Sequence, residues 1–196
     1  DRMLGHVQIE YQGTHLFDYD HIVFEGAQGL LLDEKYGVKP HTTWSNTGCE
    51  NAIVLCNEMG ITPNEVIYVT RSYGTRHGDG PCYLDGTEPV EFPIFVEDHT
   101  NVSHAFQGTL RTFPLDVDTL HNVIHTDFSD GLEVLERGGG QWDRPKMSVM
   151  MTWAHLFTDP LFHFRHGMPG HTRGGDLGEI LRDFFVNYVA FGETAS

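Results

Sequence analysis

The sequence predicts an α/β fold built on a mixed, largely parallel sheet with flanking helices, and three observations carry that expectation. Short apolar runs rich in β-branched, aromatic or methionine side chains recur at residues 22–24, 66–69 and 147–152, as strands buried on both faces do. Between them lie stretches with helical spacing, around Ala52, Ile53, Leu55 and Cys56, around Leu120, Val123 and Ile124, and from Leu177 to Tyr188. Glycine-containing turns follow the first two strand candidates, and in α/β sheets ligands gather at such strand ends.

In chain order, residues 1–21 are polar, with weak alternation at Val7, Ile9 and Tyr11 that permits at most a strand. Ile22, Val23 and Phe24 then read as a strand, residues 25–29 as a polar turn, and Leu30, Leu31 and Leu32 as a second apolar run. Gly26 and Gly29 flank Gln28 and give the turn backbone room to bend or to approach a ligand. Gln28 offers one acceptor and two donors there, which suits the edge of a heterocycle; a plain surface turn is the alternative. Ser45, Asn46 and Thr47 are candidate N-caps of a helix over residues 48–59, with Gly60 at its C′ position.

Residues 66–69 read as a buried strand feeding a glycine-rich loop over 70–81, whose Arg71 and Arg76 can pair with phosphate or carboxylate oxygens. Residues 98–112 read as a long polar loop of the kind that closes over ligands. Pro114 at a first helical position, with Asp116 and Asp118 in the first turn, starts the next helix. Residues 129–146, with glycines at 138–140, read as a loop or hinge, and no Lys-Ser/Thr follows to make a phosphate-cradling loop. Asp176 is a natural N-cap for the last helix, which a strand over residues 186–191 follows.

Composition narrows the function classes. The 196-residue chain is 39% hydrophobic, enough for one domain with a sizeable core, and its formal charge of −16 repels nucleic-acid backbones. No apolar run reaches membrane-span length and no secretory leader is visible, so a soluble cytoplasmic protein is expected, with no membrane partner. Three cysteines without a C-x-x-C pair fit a reducing compartment rather than a disulfide framework. Among thirteen histidines, the His163, His166 and His171 region raises a zinc site, but four ligands are not completed.

FEGAQG at residues 24–29, LLLD after it, Gly37-x-x-Pro40 and T-x-S-N at residues 43–46 together resemble the purine-binding segment of adenylosuccinate synthetases, without a gap over residues 22–46. The loop at Tyr73, Thr75, Arg76, Gly78, Gly80 and Pro81 is similar to that family's ribose-contacting loop, with His77 where the family has Val. Weaker similarity continues to about residue 130 and over residues 147–193. The resemblance implies a ligase fold like that of P-loop NTPases, with its N-terminal half, including the phosphate loop and catalytic Asp and His, outside this chain. No catalytic residue of the family is matched here.

What it implies for function is the joining of L-aspartate to C6 of IMP with hydrolysis of a nucleoside triphosphate, assisted by Mg²⁺ whose ligands lie elsewhere, in a homodimer. Gly26, Gln28, Gly29, Thr43, Asn46, Arg76 and His77 bind the purine nucleotide, with Gln28 orienting the purine, Thr43 the 5′-phosphate or sugar, and the Arg76-His77 loop the ribose. Thr109 and Arg111 stand near the family's arginine-rich aspartate loop. Trp153, His155 and Gly192 fall where the family selects the base of GTP, with Trp153 for its Lys and His155 for its Asp. An Asp accepts from both donors of the guanine edge and His cannot, so ATP is the alternative donor and dGMP, used by viral relatives, the alternative substrate. A non-catalytic purine-nucleotide-binding module is the reading from a different class.

Overall fold

A computed structural model describes residues 18–86, 108–139, 143–154, 163–165, 172–174 and 186–190. Eight strands run in the order β1 (Glu65–Arg71), β2 (Gly74–His77), β3 (Leu110–Phe113), β4 (Leu115–Asp116), β5 (Lys146–Thr152), β6 (His163–Arg165), β7 (Thr172–Gly174) and β8 (Val186–Val189). Two helices, α1 (Glu50–Met59) and α2 (Val117–Arg137), and a 3₁₀ turn at Leu30–Leu32 complete the described elements.

The organising sheet is parallel, ordered β1-β5-β8, with β5 in the centre. Parallel neighbours need a crossover, and α2 lies within the one between β1 and β5. Val149 and Met151 of β5 are buried and pack, with Met147 and Tyr68, against Leu120, Val123 and Ile124 of α2. A fully buried side chain of this size contributes about 1.5–3 kcal/mol. β2 and β3 form an antiparallel pair, while β6 runs parallel to β4 and antiparallel to β7. An α/β fold with parallel and antiparallel pairing and flanking helices is therefore present, as the apolar runs and helical spacing implied.

α1 and α2 approach closely because Gly131 lies inside α2. A Cβ there would come within 2.6 Å of Cys49 Sγ and 2.7 Å of Ile53 Cδ1. Cys49, Ile53 and Leu135 form the small core of that contact. Residues 129–137, expected as part of a loop, are thus helical. The glycines at 138–140 that suggested a loop lie past the helix, and Gly131 within it lets the two helices touch. α2 ends at Arg137, next to Gly138 and Gly139.

Other elements depart from expectation for similar tertiary reasons. Residues 22–24 form no strand. Val23 is 86% exposed, and no described neighbour offers the ladder and packing that β-branched residues need. Leu30–Leu32 turns as a 3₁₀ helix in which only Leu30 is buried. Pro114 precedes β4 instead of opening α2, whose N-cap is Asp116, its carboxylate accepting from Thr119 N at 3.0 Å. Part of each expected loop, 70–81 and 98–112, is strand, because β2 and β3 satisfy one another's backbone groups. Tyr188, which its spacing put on the last helix and the strand expected over residues 186–191 also included, lies in β8, as the strand reading has it. Residues 1–17, 98–107, 176–185, His166 and His171 fall outside the described residues.

Candidate functional site

Gln28 sits at the exposed tip of its turn with φ 75°. The left-handed conformation falls on Gln28 and not on the glycines beside it, which corrects the expectation that Gly26 and Gly29 make the bend. An L-residue with a long side chain occupies that region at a cost, of about 1–3 kcal/mol, that the surroundings must hold in place. A Cβ on Gly29 would meet nothing within 4 Å, and one on Gly26 only Thr47 O at 3.9 Å. The space beside Gln28 is therefore open.

Asp33 anchors this turn. It is buried, and its carboxylate accepts from Lys35 N at 2.7 Å, from Thr47 N at 2.6 Å and from Thr47 Oγ1 at 3.2 Å. Thr47 Oγ1 also donates to Gly29 O at 3.3 Å, and Thr43 N to Leu32 O at 2.6 Å. These bonds bring the Gln28 turn and the Thr43–Asn46 segment side by side. Asn46 has a different task. Its Oδ1 accepts from Gly48 N at 2.9 Å and its Nδ2 donates to Glu50 at 2.8 Å, so its amide orders the entry to α1.

The N-terminus of α1 is not closed by Ser45, Asn46 or Thr47. Cys49 is the N-cap and makes no side-chain cap bond. Its N–H instead donates at 3.0 Å to Asp127 of α2, a fully buried carboxylate that also accepts from Tyr68 Oη at 2.7 Å. Burial raises the pKa of Tyr68 well above its ordinary value and that of the Cys49 thiol to about 12, so both stay protonated donors beside that carboxylate. Lys35 and Tyr36 extend the array to Asp130, at 2.5 and 2.7 Å, and lower the Asp130 pKa. Sequence reading included Asp33 only as the end of the LLLD run, without a role, and did not single out Asp127. The only signal at Asp127 is an acidic residue at an otherwise inward-facing helix position.

Arg76 and Arg111 stand directly opposite one another across β2 and β3. Arg76 Nη2 donates to His41 O at 2.7 Å, and Arg111 Nη2 to Gly80 O at 2.6 Å. Arg111 Nε is buried with no hydrogen-bond partner. Burial, and then the Arg111 charge, lowers the pKa of Arg76. Two guanidinium groups held by backbone carbonyls leave cationic donor capacity that suits an anion. Gly78 (φ 63°) and Gly108 (φ 68°) let the two ends meet. Gly78 N donates to Thr109 O at 3.1 Å, and a Cβ on Gly108 would lie 2.8 Å from Gly78 Cα. His77 pairs in register with Leu110. The bond to His41 O joins Arg76 to the segment that carries Thr43.

Trp153 follows β5 at the carboxyl end of the parallel sheet, with φ 61°. Its carbonyl accepts from Ser72 Oγ at 2.9 Å, and its ring meets Tyr73 edge-on at 6.4 Å. Arg71 lies 5.9 Å from the Tyr73 ring. Strand ends in this position are where α/β sheets bind ligands. His155 and Gly192 lie outside the described residues. Mg²⁺ takes oxygen ligands, and no group of three or more His, Cys, Asp or Glu side chains is placed to hold a metal ion among the described residues. The carboxylates of the described residues do not form such a site.

The family model described as adenylosuccinate synthetase matches residues 8–103. Adenylosuccinate synthetase of Helicobacter pylori (strain Shi470) is 40% identical over 96 residues, which is 47% of this chain and 21% of that protein. The Helicobacter acinonychis enzyme is 38% identical over the same length and shares. The Clostridium botulinum (strain Eklund 17B / Type B) enzyme is 48% identical over 63 residues, 31% of this chain and 14% of that protein. The chain is thus homologous to adenylosuccinate synthetases over about half its length, and spans about a fifth of the length of the first two of these relatives. Gly26, Gln28, Gly29, Thr43, Asn46, Arg76 and His77 lie inside the matched region, and Thr109, Arg111, Trp153, His155 and Gly192 beyond it.

Proposed function

We propose that this chain carries the purine-nucleotide end of an adenylosuccinate synthetase-like carbon–nitrogen ligase, which joins L-aspartate to C6 of IMP using a nucleoside triphosphate. The observation that carries the reading is the position of Gln28. Its amide stands on an exposed turn, in a strained conformation, within a region homologous to adenylosuccinate synthetases. Gln28 reads the purine edge, Gly26 and Gly29 leave room for the ring, and Thr43 lies on the phosphate or sugar side. Arg76 and His77 face the ribose. Thr109 and Arg111 take the carboxylates of aspartate, the Arg76–Arg111 pair supplying the charge. The phosphoryl-transfer machinery and the Mg²⁺ ligands belong to other residues, and the assembly is a cytoplasmic homodimer.

Trp153 favours a second form of the same reading. An indole at the end of β5 offers a stacking face but no acceptor pair for guanine. ATP as donor, and dGMP as substrate, fit that substitution. Titration of IMP and dGMP against the wild type and Gln28→Ala tests both forms. The expected result is a loss of at least about tenfold in affinity for whichever nucleotide binds, one good hydrogen-bonded edge being worth about 1–3 kcal/mol. Unchanged affinity removes Gln28 from the site. Binding without turnover, in protein supplied with aspartate, Mg²⁺ and either ATP or GTP, favours a non-catalytic binding module.

A further inference from the structure

His121 and His125 lie one turn apart on α2, a helix fixed in place by Val123, Ile124 and Phe128 on its buried side. Residues four apart on a helix share a face, with Cβ atoms about 5–6 Å from one another. The two imidazole rings are in fact side by side, with centroids 4.3 Å apart and planes tilted by 57°. His125 is exposed and His121 half-buried. Asp118 lies one turn earlier, and its negative charge acts on His121. Neither histidine is part of the nucleotide site described above, and the inference does not rest on that reading.

We propose that His121 and His125 form a two-imidazole chelate for a late first-row divalent transition-metal ion, with water filling the remaining coordination positions. A nitrogen–metal bond of about 2.0–2.1 Å lets one ion bridge two rings at this spacing once they turn slightly about their side-chain torsions. Imidazole suits Cu²⁺, Ni²⁺ and Zn²⁺, whereas Mg²⁺ and Ca²⁺ take oxygen ligands, so the site discriminates against the latter pair. Cu²⁺ binds most tightly, since affinity peaks there along the first row. The helix supplies the preorganisation, and the chain's overall negative charge attracts cations.

Titration of the metal-free chain with Cu²⁺, followed by calorimetry and electron paramagnetic resonance, tests the site. The chain holds thirteen histidines, so the decisive quantity is the difference between the wild type and single variants. His125→Ala removes an exposed side chain and leaves the helix intact. His121→Ala is its partner test, with circular dichroism to establish that each variant is folded. Each variant is expected to lose one Cu²⁺ equivalent with two-nitrogen coupling, or to bind it at least about tenfold more weakly. Ni²⁺ is expected to raise the thermal midpoint of the wild type and not of His125→Ala. If His125→Ala keeps the number of sites, their affinity and the two-nitrogen signal of the wild type, the proposal is overturned.

Discussion

Asp127, on α2, accepts the backbone N–H of Cys49 at 3.0 Å and so caps a helix to which it does not belong. The cap depends on the missing side chain next to it. A Cβ on Gly48 would stand 1.8 Å from Asp127 Oδ1. Gly48→Ala therefore has to displace the carboxylate, and is expected to lower stability by about 1–3 kcal/mol. Asp127→Ala loses the cap and strands the Cys49 N–H and the Tyr68 hydroxyl, at a cost of about 2–5 kcal/mol. Urea unfolding measures both. A loss below half a kilocalorie for Asp127→Ala would show that the α1–α2 contact holds without it.

Gln28→Gly separates conformation from recognition. Glycine adopts φ 75° without strain, so the variant is expected to gain up to about 1 kcal/mol in stability while losing nucleotide affinity. Gln28→Ala keeps most of the strain and loses the same amide. Thermal midpoints and nucleotide titrations of the two variants, side by side, give the answer. Equal stabilities would mean that the backbone at position 28 is unstrained.

Like charges facing one another across a strand pair are destabilising by about 0.2–1 kcal/mol. Arg111→Met relieves the repulsion with Arg76 and is expected to leave the unliganded protein as stable as the wild type or slightly more so. In the wild type, aspartate or another dicarboxylate is expected to raise the thermal midpoint, less so at high salt. The variant should show no such rise. A dicarboxylate that stabilises both proteins equally binds elsewhere.

The lowered pKa of His121 predicts a pH dependence of definite sign. Between that lowered value and the ordinary 6.5, the unfolded chain binds more protons at this residue than the folded one. Its contribution to stability is therefore complete above 6.5 and is lost as pH falls through the window below it. Denaturant midpoints measured from about pH 5 to about pH 7 should rise more steeply for the wild type than for His121→Gln. Parallel curves would show that the residue titrates normally.

Features set by local chemistry were legible in the sequence. Short apolar runs predict β1 and β5, and Gly60 ends α1 in the left-handed conformation expected of it. Features set by distant partners were not. Residues 22–24 have strand propensity but no strand beside them among the described residues. The close approach at Gly131 depends on α1 lying against it, and the buried Asp127 carboxylate on Cys49 and Tyr68 being next to it, so neither is visible in local sequence. At the candidate site, motif similarity singled out Gln28, Thr43 and Arg76, and the structure links their segments through Asp33, Thr47 and His41. It could not show that Asn46 is engaged at the start of α1, because that depends on where Gly48 and Glu50 turn.

The parallel pairing of β1 with β5 also sets how this chain reaches its fold. Thr152 Oγ1 donates to Thr70 O at 3.1 Å across 82 residues of sequence. Closing a flexible loop of that length costs about 4 kcal/mol in chain entropy before any sheet contact compensates for it. α2 lies within the closing segment, and its buried face meets the same core as β5, so a preformed α2 shortens the search. The central sheet is thus expected to be secured only after α2 has formed, an order that pulse-labelling of the β1, β5 and α2 backbone amides would check.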